Sequence, residues 1–410
     1  MLGMKEKLQA HGTVISIFIV LLLIAFSIGY KTAAYGISQA ALVSGVEHKD
    51  SPKGVDFDAF WKAWNVINEK YVPTTSSTTP TDQEKVYGAI QGLAASTGDP
   101  YTVFFPPVEA KAFDEQISGA FEGVGMEVDV REGILTVIAP LKDTPAYKAG
   151  IKAGDKIVSI NKKPTQGLST PEAIKLIKGP KGTSVAFVIV REGSTDPIDI
   201  SVVRDVITVP AMKTETIGDV FVIRMYSFSA QSADEFRKAL REFVESGKVK
   251  LVLDLRGNPG GYLEAAVDMA SWFLPSGKVI VSEESKNLKF SQEYRSRGYN
   301  IFSDQLKFAI LVDGGSASAS EILAGALSEH GKAVLVGKKT YGKGSVQELV
   351  EITKGTSLKV TIAKWLTPLG HSISKNGIDP KIDVELDIEK FKKTGEDAQM
   401  NRAIEELDKK

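Results

Sequence analysis

An apolar run that turns into a helix through small hydroxyl residues is the feature that most restricts the fold of this chain. Residues 308–312 have the length and apolar composition of a buried strand, and residues 321–327 have helical character. Between them lies the small-residue segment 315–320. A turn from a strand into a helix points backbone N–H groups outward, where they can hold a developing oxyanion. The sequence therefore predicts a reactive site at the end of a buried strand.

A second glycine-rich segment, residues 342–347, places Lys343 between two glycines. A lysine is protonated at neutral pH unless its surroundings lower its pKa, which burial among apolar groups does. The neutral amine could then take the proton of a serine hydroxyl. Lys338 and Lys339 would favour the neutral form if they lie close. Ser318, in the first segment, and Lys343 are interpreted as a nucleophile and its base; a surface lysine in a turn is the alternative.

At these residues the chain resembles the carboxy-terminal processing peptidases, or tail-specific proteases, a family of Ser-Lys serine endopeptidases. The resemblance covers roughly residues 55–388. It also takes in motifs at residues 254–261, 342–347, 365–368 and 377–380.

The resemblance assigns a role to each site residue. It implies that Ser318 is the nucleophile, Lys343 the base and Gln347 the residue that orients the lysine. It further implies that the backbone N–H groups of Ala319 and Gly261 hold the oxyanion. No metal and no organic cofactor is implied.

Several structural alternatives remain open at these positions. Ser316 and Ser320 are the other candidates for the nucleophile, and Gly260 is the other candidate for the oxyanion donor. The spacing of Ser318 and Glu321 also matches a capping box, in which the serine only terminates a helix. Gln347 could be a polar residue on a strand face, and the 258–261 turn could serve only as a tight turn that requires positive φ.

The stretch 112–206 changes to short strands with one helix, in an order that is similar to a PDZ domain of the bacterial protease type. Its glycine loop, Gly123, Val124, Gly125 and Met126, comes before an expected strand. Backbone N–H groups beside an open strand edge can hold a terminal carboxylate while the peptide adds as an extra strand. An ordinary turn at the two glycines is the alternative.

One lysine of this stretch is a candidate for regulation. In relatives a basic residue, often arginine, precedes a Gly-x-x-Gly-Thr turn and helps couple tail binding to assembly of the active site. Here the turn is residues 179–183 and the preceding residue is Lys178. Lysine keeps the charge but lacks the planar fork of arginine, and a solvated lysine at a helix end is the alternative.

The N-terminus carries an uncharged, largely apolar run at residues 13–30, near the minimum length for a membrane-spanning helix. Lys5 and Lys7 precede it, which keeps the N-terminus cytoplasmic and exports the rest. A cleaved signal peptide is the competing interpretation, because Ala33 and Ala34 follow, although Lys31 interrupts the approach to a cleavage site. A buried core helix is the third. We expect a single-pass cell-membrane protein whose catalytic domain is extracytoplasmic.

Composition excludes several classes of function. The 50 basic and 51 acidic residues balance, so no broad electrostatic footprint for nucleic acid is expected. Because the chain has no cysteine, disulfides, thiolate catalysis and cysteine metal sites are excluded. With only four histidines, a histidine-rich metal site is disfavoured. A Ser-His-Asp triad is disfavoured too, because no Gly-x-Ser-x-Gly elbow surrounds these serines and His330 and His371 lie in ordinary contexts.

The expected fold is an α/β protease core, with a mixed sheet and helices, that carries an inserted PDZ domain, an N-terminal helical region and an N-terminal transmembrane helix. The expected spans are 1–31 for the cytoplasmic stub and anchor, 32–111 for the tether and helical region, 112–206 for the PDZ domain, 207–388 for the protease core and 389–410 for the C-terminal helix. The helical region can support a homodimer or cap the protease in the family, or it packs on the next domain.

The sequence thus predicts a serine endopeptidase whose partners are protein substrates with accessible C-termini, and the membrane. A non-catalytic PDZ adaptor on a protease-like scaffold is the alternative. An adaptor would tolerate loss of the nucleophile or the base, and this chain has both.

Overall fold

The computed structural model describes residues 55–73, 79–285 and 291–409. The expected membrane helix at residues 13–30 lies outside this part of the chain. Among the helices that the structure describes, none combines the length and the apolar character that crossing a membrane requires. The chain divides into two units, Met1–Thr79 and Pro80–Lys410.

Within the described residues, the helices are, in chain order, α1 (Asp58–Lys70), α2 (Asp82–Ala95), α3 (Pro107–Ser118), α4 (Pro145–Lys148), α5 (Thr170–Ile177), α6 (Ser232–Glu245), α7 (Leu263–Ser271), α8 (Ala319–Glu329), α9 (Ile388–Thr394) and α10 (Ala398–Asp408). The strands are β1 (Val103–Phe105), β2 (Ala120–Gly123), β3 (Met126–Arg131), β4 (Ile134–Pro140), β5 (Lys156–Ile160), β6 (Lys163–Pro164), β7 (Ser184–Val190), β8 (Ile198–Val203), β9 (Asp205–Thr208), β10 (Met212–Ile217), β11 (Val220–Met225), β12 (Lys250–Asp254), β13 (Val279–Glu284), β14 (Glu293–Arg295), β15 (Lys307–Val312), β16 (Val334–Gly337), β17 (Ser345–Thr353), β18 (Thr356–Leu366) and β19 (Ile382–Asp383).

The described part of the first unit is the helix α1 with its flanking residues. Apolar residues at helical spacing predict this helix, and the structure confirms it. Its aromatic side chains contact one another along the helix, as in the edge-to-face pair of Phe60 and Trp61, whose ring centroids are 5.0 Å apart. None of the residues of α1 is buried.

The core of the second unit is a six-stranded mixed sheet in the order β10-β11-β12-β15-β16-β19. Only β10 pairs antiparallel, and the other strands run parallel. The central strands read as continuous apolar runs because both faces of a parallel sheet are covered. The expected mixed α/β core is confirmed.

Helices cover the two faces of this mixed sheet. On one face, α6, α7 and α8 enclose the largest apolar cluster. On the other face, α10 packs through Met400, Ala403 and Leu407, the amphipathic spacing that the sequence predicts. Helix α8 is buried from Ala319 to Leu327, and all of these residues except Ser320 and Glu321 are small or apolar. Its burial fixes the position of its N-terminus, where the small-residue turn ends.

The carboxyl ends of three neighbouring parallel strands carry the segments that the sequence singles out. The 257–261 turn follows β12, the 313–318 turn follows β15, and the 338–344 loop follows β16. Open parallel sheets bind ligands at this edge, because the loops that follow adjacent strands meet there.

A second sheet closes the site from the other side, in the order β1-β18-β13-β14, with β17 paired to β18. The hairpin of β17 and β18 is its longest element. The sequence indicated a strand only at residues 357–362, so β17 and the extent of β18 are additions from the structure.

The region expected to be the inserted domain has a sheet of its own, in the order β3-β4-β5-β7-β8, with β6 on β5. It also has a separate apolar core, formed by residues such as Val128, Ile157 and Phe187. The chain enters through β2 and leaves through β9, and these two strands pair antiparallel. A ribbon of this kind joins the inserted sheet to the rest of the unit.

Candidate active site

The serine turn after β15 separates its three serines into two kinds. Ser316 and Ser320 are fully buried, and their hydroxyls donate to backbone carbonyls, Ser316 to Leu255 (2.8 Å) and Ser320 to Asn258 (3.0 Å). Ser318 is instead partly exposed and lines a cleft. Of the three hydroxyls, that of Ser318 is therefore the one presented to a ligand.

The backbone of Ser318 is strained. It is the N-cap residue of α8 with φ +54° and ψ −116°, a combination that L-residues rarely adopt. Its N–H donates to the carboxylate of Glu321 (2.9 Å), one half of the capping-box pattern seen in the sequence. The capping contact and exposure of the hydroxyl coexist, so the two interpretations of Ser318 do not exclude each other.

Lys343 lies on the loop between β16 and β17 and lines the same cleft as Ser318. Its amine is 5.6 Å from the centre of the Tyr101 ring and, within the described residues, forms no hydrogen bond or ion pair. Burial lowers the pKa of Lys343, and the negative charge of Glu321 acts in the opposite direction. An ammonium without a carboxylate partner in a partly buried site loses its proton more easily than a surface lysine.

The two lysines that precede this loop do not supply a free positive field. Lys338 pairs with Asp383 (2.8 Å), and Lys339 pairs with Asp379 (3.3 Å). A different lysine lies in the cleft. Lys359, on β18, has its pKa lowered by burial and then by the charge of Lys343. No pattern in the sequence indicated that Lys359 reaches the cleft, because β18 belongs to the second sheet.

Gln347 also lines the cleft, on β17. Its amide nitrogen donates to the carbonyl of Ser345 (2.9 Å) and to the Ser345 hydroxyl (2.6 Å). The structure thus brings Gln347 to the cleft but engages its amide nitrogen with Ser345, not with Lys343.

The glycine turn after β12 packs directly on the serine turn. A Cβ on Gly260 would lie 2.8 Å from the Cβ of Ser318, and one on Gly261 would lie 2.2 Å from the carbonyl oxygen of Phe228. The N–H of Gly260 donates to Asn258 Oδ1 (2.9 Å). Those of Gly261 and Ala319 have no hydrogen-bond acceptor among the described residues. Gly261 and Ala319 therefore both carry a free N–H group, and both line the same cleft as Ser318.

The central cleft, as we call the space that these residues enclose, has a volume of about 560 Å³. Its polar lining comes from the turns just described. Its apolar lining comes from α3, α8, the loop after β11 and the second sheet, and includes Phe113, Ile117, Ile322, Phe228, Val346, Ile362 and Trp365. An exposed serine hydroxyl, a lysine amine and two free N–H groups beside apolar walls are suited to acyl transfer on a polypeptide.

The glycine loop between β2 and β3 has its carbonyls turned into the domain. The carbonyl of Val124 accepts from Ala146 N–H (2.8 Å), and that of Gly125 accepts from Leu141 N–H (2.9 Å). The N–H groups of Val124 and Gly125 have no acceptor in the described part of the chain. This leaves two adjacent donors free, as a carboxylate-binding loop requires.

Strand β3, which begins at Met126, is an edge strand. It pairs with β4 on one side, and its other side is not paired with a described strand. Helix α5 packs beside this open edge, and Thr170 on α5 donates to Asp129 on β3 (3.2 Å). We call the channel between β3 and α5 the edge groove. It offers an extended peptide a strand to pair with.

Lys178 follows α5 and is partly exposed, but its amine is paired. Its amine pairs with Glu115 of α3 (2.8 Å) and lies 4.5 Å from the centre of the Phe121 ring. Residues of the same helix α3, Phe113 and Ile117, line the central cleft. A chain of contacts therefore runs from the end of α5 through Lys178 to a wall of the cleft.

Comparison with known proteins gives consistent matches. The profile of peptidase family S41 matches residues 219–384, and that of the PDZ domain matches residues 136–191. The chain is 39% identical over 339 residues to the carboxy-terminal processing protease CtpA of Bacillus subtilis strain 168, covering 80% of this chain and 69% of that protein. It is 36% identical over 356 residues to CtpB of the same strain, covering 85% and 72%.

A solved structure shares the fold. A putative S41 protease from Bacteroides fragilis NCTC 9343 superposes with a TM-score of 0.50 at 17% identity, over 83% of this chain and 95% of that one. The mixed core sheet and the inserted domain are thus a known pairing of folds.

Proposed function

The chain belongs to the carboxy-terminal processing proteases of peptidase family S41, and on that premise we propose that it cleaves polypeptides by a Ser-Lys dyad, with Ser318 as nucleophile and Lys343 as base. Serine endopeptidase activity follows from the family. The dyad is supported above all by one observation. The amine of Lys343 lies partly buried in the cleft that Ser318 lines, with no carboxylate pairing it among the described residues.

In this mechanism neutral Lys343 takes the proton of Ser318 as the serine oxygen attacks the scissile carbonyl. The N–H groups of Gly261 and Ala319 stabilise the oxyanion. Protonated Lys343 then gives its proton to the leaving amine, which departs and leaves an acyl-enzyme. A water molecule, deprotonated by the same lysine, attacks the ester and releases the second product with Ser318 restored.

Gln347 is proposed to orient Lys343 during the reaction. Its position in the central cleft supports this role. Its amide nitrogen donates to Ser345, so donation to another group requires that this contact be exchanged. The Gln347 oxygen Oε1 is the group that can accept a hydrogen bond from the Lys343 amine, and in this proposal it orients the base while the amide nitrogen stays on Ser345.

The PDZ domain is proposed to bind the C-terminal tail of the substrate in the edge groove. The tail carboxylate would be held by the N–H groups of the loop from Gly123 to Met126, through Val124 and Gly125, and the tail would add as a strand to β3. The free N–H groups and the unpaired edge support this. Lys178 is proposed to couple tail binding to the cleft through Glu115.

The location and assembly of the protein remain proposals from the sequence. Residues 13–30 would anchor the chain in the cell membrane with the protease outside the cytoplasm. The exposed aromatic residues at the start of α1, Phe60 and the N-cap residue Phe57, are suited to pairing two copies into a homodimer. The adaptor alternative has no observation in its favour, since the family is catalytic and the proposed nucleophile and base are both present.

Full-length protein in detergent micelles, incubated with an unfolded protein that ends in an apolar tail, tests the dyad. We expect cleavage by the wild type and none by Ser318→Ala, measured by intact mass of the products. Ser320→Ala is the matched control, because it removes a hydroxyl from the same turn that bonds only to Asn258. Undiminished cleavage by Ser318→Ala, or loss of cleavage only in Ser320→Ala, would contradict the assignment.

A further inference from the structure

Glu321 makes more contacts than a helix cap requires. Its side chain is fully buried, and each carboxylate oxygen accepts two hydrogen bonds. Oε2 accepts from the N–H of Ser318 (2.9 Å) and the N–H of Lys343 (3.0 Å). Oε1 accepts from the hydroxyl of Thr340 (2.6 Å) and the N–H of Gly342 (2.7 Å). A capping box would use only the first of these four.

The four donors come from two loops that are distant in sequence. Ser318 belongs to the turn after β15, and the other three belong to the loop after β16. A backbone bond from Tyr341 N–H to the carbonyl of Ser316 (3.0 Å) is a further link between the same loops. One oxygen of one carboxylate thus fixes the main chain of the proposed nucleophile and of the proposed base.

We propose that Glu321 is a positioning residue that holds Ser318 and Lys343 at the separation needed for proton transfer. The inference rests on the proposed dyad and deepens it. Hydrogen bonds to an ionised acceptor are about twice as strong as neutral ones, and a displacement of about 1 Å at reacting groups can lower a rate by about 100-fold. A carboxylate that accepts from both main chains restricts such displacement.

The negative charge of Glu321 disfavours the neutral form of Lys343 that the proposed mechanism needs. Its hydrogen bonds, in contrast, hold the two loops together. Burial raises the pKa of Glu321, and its four donors lower that pKa again. The charged form raises the pKa of Lys343, against the effect of burial. The other groups near Lys343 are Lys359 and Tyr101, and Tyr101 in turn faces Tyr341 and Asp99. The buried charge of Glu321 therefore disfavours the neutral form of Lys343. Its presence at this position is explained if the hydrogen bonds that it accepts position Ser318 and Lys343.

Glu321→Gln separates the two effects. The amide keeps the shape but has one oxygen, and its NH₂ group faces a donor, so the link between the loops weakens. We expect kcat to fall by about 10- to 100-fold, with KM within about twofold. Because the negative charge is gone, the pKa of Lys343 falls further, and the acid limb of the rate profile moves to lower pH.

The matched control is Glu84→Gln. Glu84 is a capping glutamate of the same pattern that accepts the N–H of Thr81 (2.7 Å), on the exposed start of α2. We expect its kcat and its pH profile to stay at the wild-type values. A wild-type kcat for Glu321→Gln overturns the proposal. A fall in kcat with no shift in the acid limb of the pH–rate profile also overturns the proposal, because a purely structural role would give that result.

The melting temperature of Glu321→Gln reports whether that variant folds. If it does not, Thr340→Val still tests the inference. It removes one donor to Glu321, together with the bond that the Thr340 hydroxyl accepts from Ile378 N–H (2.7 Å), and leaves the charge of Glu321. We therefore expect a fall in kcat of about threefold or more without a downward move of the acid limb. An unchanged kcat overturns the inference. Failure of the dyad itself is distinguishable, because it appears as cleavage by Ser318→Ala, whatever the Glu321 variants do.

Discussion

The catalytic turns and the glycine loop of the edge groove both present free backbone N–H groups, but they hold them in different ways. At Gly260 and Gly261 a side chain would meet backbone atoms, such as the carbonyl oxygen of Phe228 at 2.2 Å. At Gly125 the obstructing atoms belong to the side chain of Thr144, 2.4 Å from a Cβ. The free donors of the catalytic turns, Gly261 and Ala319, therefore lie where main chain packs on main chain, whereas those of the glycine loop lie beside an unpaired strand edge.

This difference matches what each site has to do. An oxyanion hole must not reorganise during the reaction, so its donors belong at the ends of buried parallel strands. A tail-binding loop must admit a strand, so it needs an open edge. The lysines of the two regions also differ in their ion pairing. Lys343 carries no ion pair among the described residues, and Lys178 is paired with Glu115.

The largest expected effect is that of Lys343→Arg. A guanidinium stays protonated at any working pH, so the variant lacks the neutral base that the proposed dyad requires. We expect kcat to fall by about 10²- to 10⁴-fold, with an unchanged melting temperature if the cleft admits the larger group. In the wild type, the rate should rise with pH through the lowered pKa of Lys343.

Lys339→Arg is the control for this change, since Lys339 lies four residues earlier and is paired with Asp379. It should keep the wild-type rate. A near-normal rate in Lys343→Arg would require a different base. His330, the candidate from the sequence, cannot be that base, because it is the C-cap residue of α8 whereas Ser318 is the N-cap, and its Nε2 lies 2.7 Å from the carbonyl oxygen of Val279.

The next largest effect is expected for Gly125→Ala, which changes the glycine loop of the edge groove. The added Cβ meets Thr144, and the φ of +75° is strained for alanine. We expect the affinity for a tail peptide to fall by about 10-fold, measured by calorimetry, while cleavage of a substrate that does not depend on its tail is kept.

Gly133→Ala is the matched control. Its φ of +78° imposes a similar backbone strain, but no atom lies within 4 Å of its Cβ. Equal loss of tail affinity in both variants would show that strain in the domain, not the shape of the carboxylate loop, causes the effect.

A smaller effect is expected for Lys178→Ala, which removes the contact between the two regions. The ion pair with Glu115 is half-buried, so its loss should lower turnover of a tailed substrate by about 3- to 10-fold. Binding of the isolated tail peptide should stay unchanged. Lys181→Ala, which breaks the exposed pair with Asp205, should change neither quantity. If turnover is equal in the two variants, Lys178 is only a surface charge and coupling lies elsewhere.

The sequence predicted the turns after the strands well, because small residues between an apolar run and a helix leave a local signal. It brought Ser318, Gln347 and Lys343 to one site through the family resemblance, and the structure finds all three in the central cleft. It could not reveal Lys359 or Tyr101. These reach the cleft through long-range pairing, as in the register of β1 with β18, which leaves no local pattern.

Glu321 shows the same limit within a single residue. Its spacing from Ser318 revealed the cap, because a cap is local. Its bonds to Thr340, Gly342 and Lys343 join two loops, and nothing in the local pattern of either loop indicates them.

The smallest effect is expected for Lys359→Met, which tests whether the catalytic cleft uses a second positive charge. The charge of Lys343 lowers the pKa of Lys359, and by reciprocity Lys359 disfavours the protonated form of Lys343. Removing it should raise the pKa of Lys343, so the acid limb moves up by about half a pH unit and the rate at neutral pH falls about threefold. Lys359→Arg keeps the charge near the rings of Phe105 and Phe113 and should leave the limb in place. If both variants shift the limb equally, packing of the side chain and not its charge tunes the base.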